Sequence, residues 1–266
     1  HVAFENISII ATKEIEDRRI GGSPIEKSTR YVLFDEKDEA GKYKYLREPA
    51  IMASIYAGEY EKTMDFVFDT YSSLIEPMQA FYRELFPLEK VEYDVLGTGQ
   101  KQKFTDLTDE KDKKAFQVTY KIDLKTKACD SLRCLLPLAT KVNVGMFGNG
   151  RYFQMLISHL LSTPYPEVTN IGEQTFTELS KIIPQYVKRA KAKTYNMEIE
   201  KNMRALTENI LGHFDAQSAE PVSLFPQKEL ASEEFLIANM LYAYSELPLI
   251  QIFNLVKGLK KETREK

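Results

Sequence analysis

Apolar side chains at Tyr60, Met64, Val67, Tyr71, Leu74, Met78, Phe81 and Leu85 recur at alternating steps of four and three. Among common elements only a helix keeps such positions on one face. Glu48-Pro49 opens the segment, because proline at the first helical position loses no hydrogen bond. Pro77 falls inside it, where it predicts a kink, and Pro87 ends it. The stripe reads as core or helix–helix packing, long enough for a second subunit to share. Ahead of it, the β-prone runs Tyr31-Val32-Leu33-Phe34 and Tyr43-Lys44-Tyr45-Leu46 flank a charged stretch containing Gly41, and predict a hairpin or a pair of short strands.

Beyond the long helix the pattern is mixed. Residues 97–114 are polar and predict an exposed loop; their Gly-Thr-Gly lacks the spacing of a phosphate loop. Phe116, Val118, Tyr120, Ile122 and Leu124 alternate with polar residues, as a strand would, whereas Ala128 to Leu136 looks helical, and period alone leaves the two open. Asn149 predicts a cap for a helix with Phe153, Leu156, Ile157, Leu160 and Leu161 on one face, ending near Thr163-Pro164. Further helices are predicted at about 167–193, 197–212, 232–245 and 248–256, the last with Gly258 as its C-cap. Residues 215–228, containing Pro221 and Pro226, are the best linker, which divides the chain into residues 1–214 and an extension of 229–266. The sum is a helix-rich α+β protein.

Composition narrows the function classes. Lys and Arg number 36 against 39 Asp and Glu, so the formal charge is 36 − 39 = −3. That balance gives no global electrostatic reason to bind nucleic acid. The basic runs 188–193 and 257–266 lack interleaved aromatics and read as solvated helix ends. No apolar run approaches the roughly 20 residues of a membrane span, and no secretory signal is visible. Cys129 and Cys134 are too few for a disulfide framework and predict reduced, core-packed side chains in a cytoplasmic setting. Histidines occur only at 1, 159 and 213, which leaves little for a zinc or iron site.

The densest chemistry lies between Arg18 and Tyr31, RRIGGSPIEKSTRY. Gly21-Gly22 permits conformations that expose backbone N–H groups. The hydroxyls of Ser23, Ser28 and Thr29 and the guanidiniums of Arg18, Arg19 and Arg30 are donors suited to phosphate. The alternative is an ordinary polar loop between a helix and a strand. This stretch resembles the flavin-dependent thymidylate synthase (thymidylate synthase complementing protein) signature RHRxxSxNExSxRY. It matches at Arg18, Ser23, Glu26, Ser28, Arg30 and Tyr31, and departs at Arg19, Ile20 and Ile25, where the family has His, Arg and Asn. Arg133 with Leu136-Pro137, then Asn149-Gly150-Arg151, repeats the family's ARxxLP and NxR at their spacing.

The resemblance covers roughly residues 1–190 and implies a small sheet flanked by long helices. It implies that Ser28, Arg30 and Arg133 hold the deoxyuridylate phosphate with Glu26 near the nucleotide. Arg18 and Arg19 would lie where nucleotide meets flavin, and Asn149 and Arg151 on the side of the flavin adenine dinucleotide (FAD). The implied reaction moves a methylene from methylenetetrahydrofolate to deoxyuridylate, with flavin hydride completing the methyl and NADPH restoring the flavin. A homo-oligomer, dimer or tetramer, with sites between subunits is implied as well. Met155 and Leu160 stand where the family carries an Asn for flavin and an Arg for the base, and His159, turned about 100° away, replaces that Arg poorly. The alternative is therefore a catalytically impaired homologue that binds nucleotide or flavin, or serves as a structural subunit. The chain also resembles the first half of longer relatives, so a homologous second half is an expected partner for the apolar faces Leu236, Met240, Leu241 and Ile250, Phe253, Leu255.

Overall fold

A computed structural model describes residues 1–264 apart from Arg19, Leu96, Ala219, Pro221 and Ser223, and apart from the side chain of Asn196. The chain runs β1 (Val2–Ser8), α1 (Ile9–Glu16), β2 (Gly22–Glu26), α2 (Pro49–Met52), α3 (Ala57–Leu85), β3 (Glu92–Tyr93), β4 (Gln102–Lys103), α4 (Glu110–Leu132), β5 (Lys141–Gly148), α5 (Gly150–Leu160), α6 (Pro166–Ile182), α7 (Pro184–Val187), α8 (Thr194–Leu211), α9 (Gln227–Leu230), α10 (Glu233–Tyr242), α11 (Leu249–Gly258) and α12 (Lys261–Arg264). It is a helix-rich α+β protein with a small antiparallel sheet.

The chain divides into two compact units, one of residues 1–160 with 165–190, the other of 161–164 with 191–266. In the first, strand order is β1-β5-β2, all antiparallel, with β5 central. Alternation along β5 sends Val142, Val144 and Met146 into the core, and leaves Asn143 and Phe147 on the opposite, exposed face. Ser23 and Ile25, exposed on β2, pair with Phe147 and Gly145 on that same face. In β1 the register shifts between Phe4 and Ile7; Asn6 there has φ +56° and its N–H donates to Asn143 Oδ1 at 2.9 Å. Asn tolerates that left-handed conformation better than most residues.

Ser8 joins three elements. Its Oγ accepts from Ala11 N at 3.1 Å, capping α1, while its own N–H donates to Glu167 Oε1 at 2.9 Å and its hydroxyl donates to Glu167 Oε2. The Glu167 carboxylate thus ties the β1–α1 corner to the first turn of α6.

The long helix carries a different buried stripe from the one its heptad spacing suggests. Met64, Phe68, Tyr71 and Ile75 are buried, packed with Phe34, Tyr43, Tyr45, Leu132, Leu136 and Val142. Leu74, Phe81 and Leu85 are exposed. A 3.5-residue stripe on a helix of 3.6 residues per turn drifts about 20° per heptad, roughly 70° over this span, so one end leaves the core. The segment begins with the single turn α2, Pro49 at its first position, and α3 starts only at Ala57. Pro77 sits within α3.

Residues 116–124 are helical, inside α4. Phe116, Tyr120 and Leu124 are buried with Ala128, whereas Val118 and Ile122 are exposed, at 55% and 58%. The Tyr31–Leu46 segment is not a strand pair: it shows only the isolated bridges Lys37–Tyr43 and Tyr45–Thr140, and Phe34, Tyr43 and Tyr45 are drawn onto α3 instead. Residues 97–114 are partly ordered, holding β4, the 3₁₀ turn Phe104–Asp106 and the start of α4. Helix α6 stops before Pro184, which opens α7.

In the second unit Leu211 of α8 clusters with Ala238, Leu241, Leu247, Ile252, Phe253 and Val256. Composition places a linker at 215–228, yet α8, ahead of it, already packs with the helices that follow; Pro221 of that stretch lies outside the described residues. Ser232 caps α10 by accepting from Phe235 N at 3.2 Å. Gly258 is the last residue of α11, not a cap beyond it. Of the apolar faces expected to lie bare, Leu241 and Phe253 are buried in this cluster, while Leu236 and Met240 are exposed.

Candidate functional site

Arg30 leaves β2 through a tight turn. The carbonyl of Ser28 accepts from Tyr31 N and Val32 N, each at 3.2 Å, and Ser28 Oγ accepts from Arg30 N at 3.3 Å. The turn aims Arg30 at the C-terminal end of α4. There Arg30 Nε and Nη2 donate to the two oxygens of Asp130 at 2.9 and 3.2 Å, in the two-pronged geometry a guanidinium offers to carboxylates and phosphates alike. Arg133 Nε lies 3.3 Å from the same Asp130 Oδ1. Two arginines from distant parts of the chain therefore converge on one acid, with Ser28 at the base of the turn. All three charged side chains are 40–50% exposed, so ligand access is open and solvent screens the pairing.

Glu26, at the end of β2, is paired with Val144 across the ladder. Desolvation raises its carboxyl above the ordinary glutamate value, and Lys13 partly opposes that rise. A carboxyl so placed keeps its proton to higher pH than a free glutamate.

A second constellation lies where β2 begins. Gly22 pairs with Gly148, which brings the preceding loop beside the start of α5. Both glycines are needed for packing: a Cβ at either would come within 2.4 Å of the Tyr152 ring. Gly21, at φ +87°, makes the turn. Arg18 Nη2 lies 3.1 Å from His159 Nδ1, and His159 Nε2 lies 2.7 Å from Glu14 Oε2. A guanidinium can only donate, so Nδ1 is the acceptor and the ring proton sits on Nε2, donating to Glu14. Arg151 and Met155 precede His159 by eight and four residues and share its helix face, and both are exposed. Asn149 is engaged in the fold, since its Oδ1 accepts from Tyr152 N at 2.9 Å and caps α5.

Of the residues named from sequence, Arg30, Arg133 and Ser28 come together, with Glu26 on the strand leading to them. Arg18 meets His159 in the last turn of α5, while Asn149 and Arg151 stand at its start. Arg19 lies outside the described residues. Leu160 is completely buried and turned into the core, so it is His159, one position earlier, that faces Arg18. Asp130 and Glu14 go unnamed from sequence. Asp130 leaves a faint signal, because three residues before Arg133 is one helical turn; Glu14 leaves none. Cys129 is buried and its thiol is pushed up by desolvation, but Cys134 is exposed, against the expectation of core packing. Among the described residues no group of three or more His, Cys, Asp or Glu is placed to hold a metal ion, and no helix is long and apolar enough to cross a membrane.

Comparison with known proteins fits this layout. A model of the thymidylate synthase complementing protein family matches residues 1–185, nearly the whole of the first unit. Among curated relatives, a UPF0159 protein of Chlamydia pneumoniae is 36% identical over 98% of this chain and 46% of its own length. A UPF0159 protein of Chlamydia muridarum is 43% identical over 71% of this chain and 31% of its own. One from Thermoplasma acidophilum is 30% identical over 92% and 48% respectively. The chain spans less than half the length of these relatives. With a family model that matches residues 1–185, this chain belongs to the thymidylate synthase complementing protein family.

Proposed function

We propose that this chain is the nucleotide-binding part of a cytoplasmic flavin-dependent thymidylate synthase, methylating deoxyuridylate with methylenetetrahydrofolate. The observation that carries the reading is the convergence of Arg30 and Arg133 on Asp130 beside the Ser28 turn. Two guanidiniums set to hold a carboxylate are also set to hold a phosphate. In this reading they neutralise the deoxyuridylate phosphate and fix the nucleotide, and Glu26 presents a carboxyl to the pyrimidine side.

The groups at the start of α5 fit the FAD pyrophosphate in charge. Arg151 brings a cation to the first turn of α5, the end that favours anions, while Arg18 lies against His159 in its last turn. The fit is weaker toward the flavin ring, because Met155 offers no hydrogen bond where the family has an Asn. When bound, FAD supplies the hydride that completes the methyl group, and NADPH restores it. The Glu14–His159–Arg18 chain holds the Arg18 guanidinium at the C-terminal end of α5.

The second reading, a catalytically impaired homologue that binds nucleotide or flavin or serves as a structural subunit, rests on Leu160. Its side chain is buried in the core, so the position supplies no cation to the pyrimidine. The readings separate in one set of assays on the purified protein with FAD, NADPH and methylenetetrahydrofolate. Tritium release from 5-labelled deoxyuridylate supports the synthase. Deoxyuridylate binding and a flavin absorption band without release support the impaired homologue. Absence of binding, flavin and release together removes both ligand-binding readings.

A further inference from the structure

Among the described residues Asp130 is the one acid that both Arg30 and Arg133 engage, and it is not one of the residues the signature singles out. It sits in the last turn of α4, one turn before Arg133, so the helix presents it to both guanidiniums without the need for a ligand. The carboxylate takes the two-pronged face of Arg30 and the Nε of Arg133, which are the donors a phosphate would use. We propose that Asp130 is a built-in occupant of the phosphate site, a carboxylate that a ligand must displace. This rests on the reading of Arg30 and Arg133 as phosphate ligands.

The charge arithmetic says which ligands displace it. Two guanidiniums against one carboxylate leave the cluster one positive charge in excess. A phosphomonoester carries about −1.5 to −2 near neutral pH and has three terminal oxygens, against −1 and two for the carboxylate. It therefore outcompetes Asp130, whereas a phosphodiester or an organic carboxylate brings no more charge than the group it must remove. Asp130 acts as a selectivity filter for terminal phosphomonoesters. It also keeps the two arginines gathered when no nucleotide is bound, which lowers the ordering required on binding.

Titration calorimetry of the full chain with deoxyuridylate, and separately with inorganic phosphate and with acetate, tests this. Asp130→Asn removes the competing charge and keeps the shape. Deoxyuridylate and inorganic phosphate should then bind about three- to tenfold more tightly, the scale of releasing one or two exposed ion pairs. The preference for phosphate over acetate should shrink. Asp130→Glu, which restores the charge, should return both affinities toward wild type. Melting curves of all three proteins confirm that they fold. Wild-type binding with an unchanged or weakened Asp130→Asn would overturn the inference and leave the phosphate site standing, with Asp130 as its support. If neither wild type nor Asp130→Asn binds any phosphate, the inference falls together with the reading beneath it.

Discussion

Arg30 does two jobs in the geometry, closing the Ser28 turn through its backbone and reaching α4 through its side chain. Arg30→Ala keeps the first and deletes the second. The expected loss in deoxyuridylate affinity is about 1.5–3 kcal/mol, the worth of a charge-assisted bond, read by calorimetry; equal affinities would remove Arg30 from the phosphate site. Glu26 allows a test by pH. Its carboxyl is raised above 4.5 in the folded chain by desolvation, with Lys13 opposing. The folded state thus holds the proton more tightly than the unfolded chain. Its contribution to stability is most favourable below about pH 4.5 and is lost as pH rises through the folded value. Glu26→Gln, which cannot ionise, should therefore gain in melting temperature relative to wild type between pH 4 and 7. Because the side chain is exposed, solvent keeps that gain small. A difference independent of pH would show that Glu26 is not desolvated.

Among the elements, α5 supplies both the site face and the core face, so its start matters twice. Asn149 caps it, and Asn149→Ala should lower stability by about 1 kcal/mol. For a protein of this size that is about 2–4 °C in melting temperature, read by calorimetry or circular dichroism; an unchanged melting temperature would show that the cap is dispensable. The face of Arg151, Met155 and His159 then has a looser start, and FAD binding should weaken with it. Elsewhere pattern and element part company for clear reasons. The alternation at 116–124 contains Phe116, Tyr120 and Leu124, four apart, and positions four apart also share a helix face. The runs at 31–34 and 43–46 are β-prone, but Phe34, Tyr43 and Tyr45 gain more by covering α3 than by pairing. Tertiary burial overrides propensity there.

At the scale of the whole molecule, the C-terminal helices are not a loose tail within their own unit. Ala238, Leu241, Ile252, Phe253 and Val256 are buried against one another and Leu211. Burial is worth roughly 25 cal/mol per Å² of apolar surface. Deleting residues 229–266 strips that cover from Leu211 and should lower solubility, melting temperature or oligomeric state. A truncated chain with the same assembly and melting temperature would mean that the helices contribute nothing. The exposed apolar groups Ile25 and Phe147 on the open sheet face, at 79% and 56%, support the proposal of a homo-oligomer. Light scattering of the intact chain at micromolar concentration should show more than a monomer.

What the sequence determined by itself is whatever covalent spacing carries. Arg18 to Tyr31 is a contiguous motif, the interval from Arg133 to Asn149 is a count of residues, and the Asn149 cap and the α5 face are local. Family, α+β class and the two arginines proposed for phosphate, Arg30 and Arg133, were legible on that basis. Tertiary structure decided which residues face one another. No spacing announces that Asp130 will stand between Arg30 and Arg133, or that Glu14 and Arg18 will meet His159 while Leu160 turns into the core. Those pairings depend on how β2 registers against β5 and how α4 and α5 rotate as they pack. A rotation of one residue, about 100° on a helix, separates a ligand from a core side chain.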